Sequence, residues 1–178
     1  MVSETGKRAL KRYFVSSSLS GLRLLEQIAQ RSSTGTFCTP TERRTCAWSG
    51  RAAHPDDIRT CDLTGLSIHI EFMTPNAPYR LQPLIEILNG VRRNSDGIET
   101  WPEVANQLAS AKNGGKYRVE AAIISPDNRH LATSSESRAL LGLRVNQVGA
   151  LYEVSTKSII GRICVGKRGK DGWTETSR

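Results

Sequence analysis

The chain has 178 residues, of which 38% are hydrophobic and 24% charged, a composition that excludes collagen-like, mucin-like and wholly disordered proteins. Its net charge of +8 is uneven, because residues 1–45 contain 8 Lys and Arg against 3 Asp and Glu, and residues 116–178 contain 11 against 6. Such basicity favours a polyanionic partner, so nucleic acid is considered first, with a merely solvated basic surface as the alternative. No apolar run has the length of a membrane span and the N-terminus lacks the features of a signal peptide. We therefore expect a soluble, cytoplasmic protein without a membrane partner.

An internal repeat occupies the first third of the chain. Its marks are five glycines, each preceded by Ser or Thr and spaced by 14 or 15 residues: Gly6, Gly21, Gly35, Gly50 and Gly65. Four residues ahead of these glycines stand Val2, Ser17, Arg31, Cys46 and Cys61. A Ser/Thr-Gly pair suits a tight turn with positive φ, and the apolar spacing after the first two glycines predicts short helices. A unit this short cannot bury its own core, so the copies must stack on one another or close round a metal.

The cysteines within the repeat predict a metal site. Cys38, Cys46, His54 and Cys61 form the spacing C-x7-C-x7-H-x6-C. Three thiolates and one imidazole make a closed tetrahedral set that is typical of structural zinc. His69 follows Gly65 as His54 follows Gly50, so it is an equally suitable fourth ligand. Buried free thiols are the first alternative, and a disulfide is the second, which the absence of a secretion signal disfavours.

Residues 76–178 predict a compact domain of two helices and four or five short antiparallel strands. Helical spacing begins at Leu81, and Thr100 with Glu103 has the spacing of a capping box for the second helix. Alternating apolar residues between Tyr117 and Val165 predict the strands, and the basic, glycine-rich residues 166–172 predict a loop or frayed end. The expected fold class is therefore α+β, with knuckle repeats in residues 1–75 and an α+β domain in residues 76–178.

The common catalytic motifs are absent from the sequence. It has no phosphate-binding loop, dinucleotide fingerprint, nucleophile elbow or H-E-x-x-H helix, so we expect a protein that is not an enzyme. A hydrolase with an open metal position is the enzyme class that remains. Asp56 and Asp57 are interpreted as capping a short helix. Trp48, beside Cys46, is predicted either to pack near the metal or to stack on a base.

Basic residues near both ends are the candidate phosphate contacts. They are Lys7, Arg8, Lys11, Arg12, Arg43, Arg44, Lys167 and Arg168. The first four have i, i+4 spacing and would form one positive stripe on a helix. Nothing in the sequence resembles a recognition helix, so these residues are expected to contact the backbone of DNA or RNA without reading its sequence.

The segments Thr5–Leu10, Ser18–Gly21 and Cys46–Gly50 resemble degenerate tandem zinc-knuckle repeats found in C-terminal extensions of bacterial Swi/Snf-like helicases. The resemblance covers residues 2–73, and Val2 and Ser17 stand where the first two copies would have cysteine. It implies an accessory region with a helicase-like or other protein partner. The expected function is a non-enzymatic, zinc-stabilised module that binds nucleic acid. The alternative is a protein–protein adaptor that docks onto a larger assembly.

Overall fold

The computed structural model describes residues 6, 11–91, 101–111, 116–139 and 144–177. The chain divides into two compact units that alternate along the sequence. Met1–Arg59 and Ser67–Glu71 form the first, called here the repeat unit, and Thr60–Leu66 and Phe72–Arg178 form the second, called the sheet unit. No helix among the described residues is long and apolar enough to cross a membrane.

Very short strands and single turns of 3₁₀ helix alternate through the repeats. The strands are β1 (Phe14–Ser16), β2 (Arg23–Leu25), β3 (Gln30–Arg31), β4 (Phe37–Cys38), β5 (Arg44–Thr45), β6 (Ala52–Ala53), β7 (Ile58–Thr60) and β8 (Ser67–His69), and they pair successively as four two-stranded sheets. The 3₁₀ helices are η1 (Lys11–Tyr13), η2 (Glu26–Ile28), η3 (Pro40–Glu42), η4 (Pro55–Asp57) and η5 (Ile70–Phe72). The prediction of short α-helices after the first two glycines is wrong for the described residues. So few residues separate successive turns that the cost of nucleating an α-helix is not recovered, and the chain stays extended.

The Ser/Thr-Gly pairs end tight turns. In the turn that begins at Cys46, the Cys46 N–H donates to the Arg51 carbonyl and the Gly50 N–H donates to the Cys46 carbonyl, both at 2.9 Å. The turns that begin at Ser17 and Cys61 have the same two bonds. Gly50 has a φ of 66°, which a residue with a side chain rarely adopts, and this explains the glycine at the turn.

The third turn is one residue shorter than the others. Its first residue is Ser32 and not Arg31, because the Ser32 N–H donates to the Thr36 carbonyl at 2.8 Å and the Gly35 N–H donates to the Ser32 carbonyl at 3.1 Å. Ser32 is buried and Arg31 is exposed. The alignment that placed Arg31 with Ser17, Cys46 and Cys61 is therefore corrected by one residue, and the short turn accounts for the single 14-residue spacing.

The sheet unit has the predicted α+β class. Its helices are α1 (Gln82–Leu88) and α2 (Trp101–Ala111), and its strands are β9 (Tyr117–Ile124), β10 (His130–Ala139), β11 (Arg144–Glu153), β12 (Ser158–Gly169) and β13 (Gly172–Ser177). The five strands form one antiparallel sheet in the order β13-β12-β11-β10-β9. The predicted loop at residues 166–172 is instead part of the β12–β13 hairpin, because Gly169 pairs with Gly172 across a two-residue turn.

Each face of this sheet is covered by one helix. Val104 and Leu108 of α2 pack with Val148, Ala150 and Tyr152 of β11. Gly149 lies between Val148 and Ala150, so it faces the other side, where the position of its missing Cβ is 3.1–3.2 Å from Leu88 and Leu84 of α1. Cys164 is buried on that side, and burial raises the pKa of its thiol to about 12. The core of the sheet unit is thus built from both helices.

Candidate nucleic-acid interface

Hydrogen bonds join three successive turns of the repeat unit to later copies. The Ser17 hydroxyl donates to Glu42 of η3 at 2.7 Å. The backbone N–H and the hydroxyl of Ser33 donate to Asp57 of η4 at 3.1 and 2.5 Å. The Cys46 Sγ accepts a hydrogen bond from the His69 backbone N–H at 3.3 Å. Each of these turns therefore bonds to residues that come after the next turn along the chain. These bonds between copies stabilise the short repeats.

Carboxylates of the repeat unit are engaged inside it. Glu42 accepts from the Thr39 backbone N–H at 2.7 Å, as part of a capping box on η3. Hydrogen bonds from the Ser20 hydroxyl, the Thr39 backbone and the Ser17 hydroxyl lower the pKa of Glu42 to about 2. Asp56, in the first turn of η4, accepts from the Thr36 hydroxyl at 2.8 Å. These hydrogen-bonded carboxyl groups stabilise the stacked copies.

Six arginines in the described part of the same unit are exposed to solvent, namely Arg12, Arg23, Arg31, Arg44, Arg51 and Arg59. The last four lie on short strands or beside a turn. Arg44 and Arg59 stand one repeat length apart, each two residues ahead of a cysteine that begins a turn. The Arg59 Nη1 donates to the carbonyls of Asp56 and Ile58 at 2.6 and 2.9 Å, which holds its side chain against its own copy. Arg44 and Arg59 thus occupy equivalent positions in successive repeats, and together with the other exposed arginines they are candidate phosphate contacts.

The predicted contacts at the N-terminal end are described in part. Lys11 and Arg12 are exposed on η1. The Arg12 guanidinium lies 4.9 Å from the Tyr13 ring centroid, and its Nη2 donates to the Tyr13 hydroxyl at 3.0 Å. Lys7 and Arg8 lie outside the described residues, so the structure describes only the second half of the predicted helical stripe, Lys11 and Arg12. That half is a single 3₁₀ turn.

Two other predicted contacts bond to backbone carbonyls. The half-buried Arg43 donates from Nη2 to the Ile28 carbonyl at 3.0 Å. Arg168 donates from Nε to the Leu88 carbonyl at 2.8 Å, and so satisfies a group at the C-terminal end of α1 that the helix itself leaves unpaired. Lys167 is exposed on β12. We therefore assign Arg43 and Arg168 structural roles and retain Lys167 as an exposed cation.

The cysteines predicted to bind zinc are buried, and they form no disulfide. Cys38, Cys46 and Cys61 have 0% exposure. Within the sheet unit, the Cys61 Sγ accepts a hydrogen bond from the Leu81 backbone N–H at 3.3 Å. In the part of the chain that the structure describes, no group of three or more His, Cys, Asp or Glu side chains is placed to hold a metal ion. Cys61 belongs to the sheet unit, whereas Cys38, Cys46 and His54 belong to the repeat unit, and the zinc site stays a prediction.

Both candidate histidine ligands cap 3₁₀ helices. The His54 Nδ1 accepts from the Asp56 backbone N–H at 3.1 Å, and the His69 Nδ1 accepts from the Glu71 backbone N–H at 3.2 Å. In both rings the Nδ1 atom takes part in this cap, so Nε2 is the ring nitrogen left for another partner. The His54 Nε2 is buried without a hydrogen-bond partner. The shared repeat position of the two histidines therefore corresponds to a shared capping role.

Trp48 is a core residue. Only 1% of its surface is exposed, so it packs inside the repeat unit and presents no face to a base. The exposed aromatic residue of this unit is Tyr13, at 46%. The sequence analysis did not single out Tyr13 as a candidate contact, although it directly follows the basic Lys11-Arg12 pair.

A serine, an aspartate and a histidine meet at the turn between β9 and β10. The Ser125 hydroxyl donates to Asp127 at 2.5 Å and accepts from the His130 backbone N–H at 2.9 Å. The His130 Nδ1 is 3.9 Å from the Asp127 carboxylate. Because the hydroxyl bonds to the carboxylate and not to the imidazole, this cluster is a hydrogen-bonded turn and lacks a nucleophile–base pair.

The exposed arginines of the repeat unit are the arrangement that points most directly to a partner. Their chemistry suits phosphate groups, which guanidinium forks bind through paired hydrogen bonds. No family model, curated protein or solved structure matches the chain.

Proposed function

We propose that the chain is a non-enzymatic accessory module that binds DNA or RNA through the exposed arginines of its repeat unit. The observation that carries this proposal is the division of roles among charged residues. Glu42, Asp56 and Asp57 accept hydrogen bonds within the repeat unit, whereas arginines at repeated positions are exposed. This leaves a cationic surface that attracts polyanions. A cytoplasmic location is part of the proposal, supported by four free cysteines, which a reducing compartment maintains.

The contacts would be to phosphates and not to base edges in a duplex. The 3₁₀ helices of the repeat unit that the structure describes span three residues each, too short to lie in a major groove as a recognition helix does. The strands are two or three residues long. Binding to duplex DNA is therefore expected to be independent of sequence.

Chromatography on an immobilised polyanion separates this proposal from the adaptor alternative. The intact chain is expected to bind single-stranded DNA–cellulose at low ionic strength and to elute as salt rises, because counterion release drives such binding. An adaptor would pass through the column and would instead retain a protein partner in high salt. Flow-through at low salt would overturn the nucleic-acid proposal.

A structural zinc ion is a separate part of the proposal. It is supported by the donor set, since three thiols of the repeats have no exposed surface and thiolates are preferred zinc ligands. Elemental mass spectrometry of the purified chain should find about one zinc per molecule, lost in Cys46→Ser and in Cys61→Ser. If the purified chain contains no metal and both variants fold, the zinc proposal is wrong. Hydrogen bonds and side-chain packing would then hold the copies together. The nucleic-acid proposal would be unaffected by that result.

A further inference from the structure

Two hollows lie on the β1–β2 hairpin and the 3₁₀ turn that precedes it. The larger, about 460 Å³, is lined by Tyr13, Leu25, Glu26 and Gln27. The smaller, about 150 Å³, is lined by Lys11, Phe14, Ser16 and Arg23. They are neighbours, because Tyr13 and Phe14 are consecutive and the strand pairing sets Phe14 opposite Leu25 and Ser16 opposite Arg23. The larger hollow is partly apolar and has the Tyr13 ring as one wall, and the smaller hollow is lined by the cations Lys11 and Arg23.

We propose that the larger hollow binds an unpaired nucleobase stacked on Tyr13, while the smaller hollow holds the adjoining phosphate at Lys11 and Arg23. This inference rests on the proposed function and narrows it to single-stranded nucleic acid. Proteins that bind single strands combine stacking aromatic rings with a basic groove along the backbone, and this hairpin has both.

The Tyr13 ring is exposed yet held in place. The next residue, Phe14, begins the β1–β2 pairing, which fixes the backbone beside the larger hollow. Arg12 bonds to the Tyr13 hydroxyl and lies 4.9 Å from its ring centroid, close enough for a cation–π contact. A positioned ring loses little conformational freedom when a base stacks on it, and the guanidinium adds positive charge beside the base.

The remaining walls of the larger hollow match the other surfaces of a base. Leu25 supplies a half-buried apolar contact. Glu26 can accept a hydrogen bond from an exocyclic amino group, and Gln27 can both donate and accept. A phosphate alone would be repelled by the Glu26 carboxylate, so this hollow suits a base better than a second phosphate.

Duplex DNA cannot use this site without unpairing. The faces of its bases are covered by their stacked neighbours, and taking one base out costs a few kcal/mol. A duplex would therefore reach the exposed arginines but not Tyr13. Loss of the Tyr13 ring is expected to affect single strands alone, which separates this site from the general cationic surface.

The test compares Tyr13→Ala, Tyr13→Phe and the control Leu19→Ala, whose side chain is exposed but does not line either hollow. Fluorescence anisotropy measures affinity for a labelled oligothymidylate and for a duplex of equal length. Tyr13→Ala should weaken single-strand binding roughly tenfold and leave duplex binding unchanged. Leu19→Ala should bind as the unmodified chain does, and Tyr13→Phe, which keeps the ring but loses the bond from Arg12, should retain most of the single-strand affinity. A strand carrying 2-aminopurine should lose fluorescence on binding, except with Tyr13→Ala.

The outcomes separate the two proposals. If the unmodified chain binds both oligonucleotides and Tyr13→Ala changes neither affinity, or changes both equally, the stacking site is wrong and the proposed function stands. If the unmodified chain binds neither, both proposals fail. Circular dichroism checks that Tyr13→Ala is folded. Gln27→Ala gives a second measurement that leaves the ring intact, and it too should weaken single-strand binding selectively.

Discussion

Changing Arg44, Arg51 and Arg59 together to glutamate is expected to weaken binding of both single- and double-stranded DNA by about 100-fold or more at low salt. Each change removes a candidate phosphate contact and adds a repelling charge. The dependence of log K on log[KCl] should also become shallower, by about 0.7 per lost contact on single strands and about 0.9 on duplex. Fluorescence anisotropy over a series of KCl concentrations measures both effects.

The matched control alters the same number of charges in the sheet unit. Arg118, Arg129 and Lys170 are exposed there, and changing them to glutamate shifts the net charge equally. This variant should keep most of the affinity, because the proposed interface lies on the repeat unit. Equal losses in both variants would show that overall charge, and not a located surface, governs binding. Circular dichroism of both variants is needed, since Arg59 also bonds to two carbonyls.

Trp48→Ala is expected to destabilise the repeat unit by about 3–5 kcal/mol, most of the stability of a small domain. The side chain is fully buried in the turn that begins at Cys46, and its removal leaves a large cavity. The adjacent Ala47 N–H donates to the Ser67 carbonyl at 2.9 Å, so the cavity opens beside a contact between successive copies. Urea unfolding followed by circular dichroism measures the loss.

Trp48→Phe is the companion variant, since it keeps an aromatic ring in the same place and should restore much of the stability. Nucleic-acid binding by Trp48→Ala should fall together with folding, because the arginines depend on the stacked copies for their positions. An unchanged unfolding midpoint together with lost binding would mean that Trp48 acts as a stacking surface, in conflict with its burial.

Local patterns predicted much of the fold. The positions of α1 and α2 follow from helical spacing and a capping-box pattern, and β9 to β12 follow from alternation between Tyr117 and Val165, whereas β13 lies beyond that stretch. The full lengths of the strands could not be predicted, because β10 contains Ser134 and Ser135, polar residues that are nevertheless buried. The hairpin at Gly169–Gly172 forms because β13 pairs with β12, whereas its basic, glycine-rich sequence by itself resembles a flexible tail.

The repeat was visible in the glycines, but its internal alignment was not. Counting back from Gly35 selects Arg31, whereas the shortened turn begins at Ser32, whose hydroxyl is buried among other hydroxyls of the same turn. The availability of the basic residues to a partner could not be predicted either. Their charge can be read from the sequence, yet Arg168 bonds to Leu88, which is 80 positions away in the chain. Non-local contacts of this kind decide which cations stay available to a partner.

The affinity of the unmodified chain for a short single-stranded oligonucleotide, measured by anisotropy as KCl is raised, tests the central claim most directly. The claim predicts clear binding at low salt and a linear fall of log K with log[KCl], with a slope that corresponds to several phosphate contacts at about 0.7 each. Absence of binding at low salt, or binding that does not respond to salt, would contradict it.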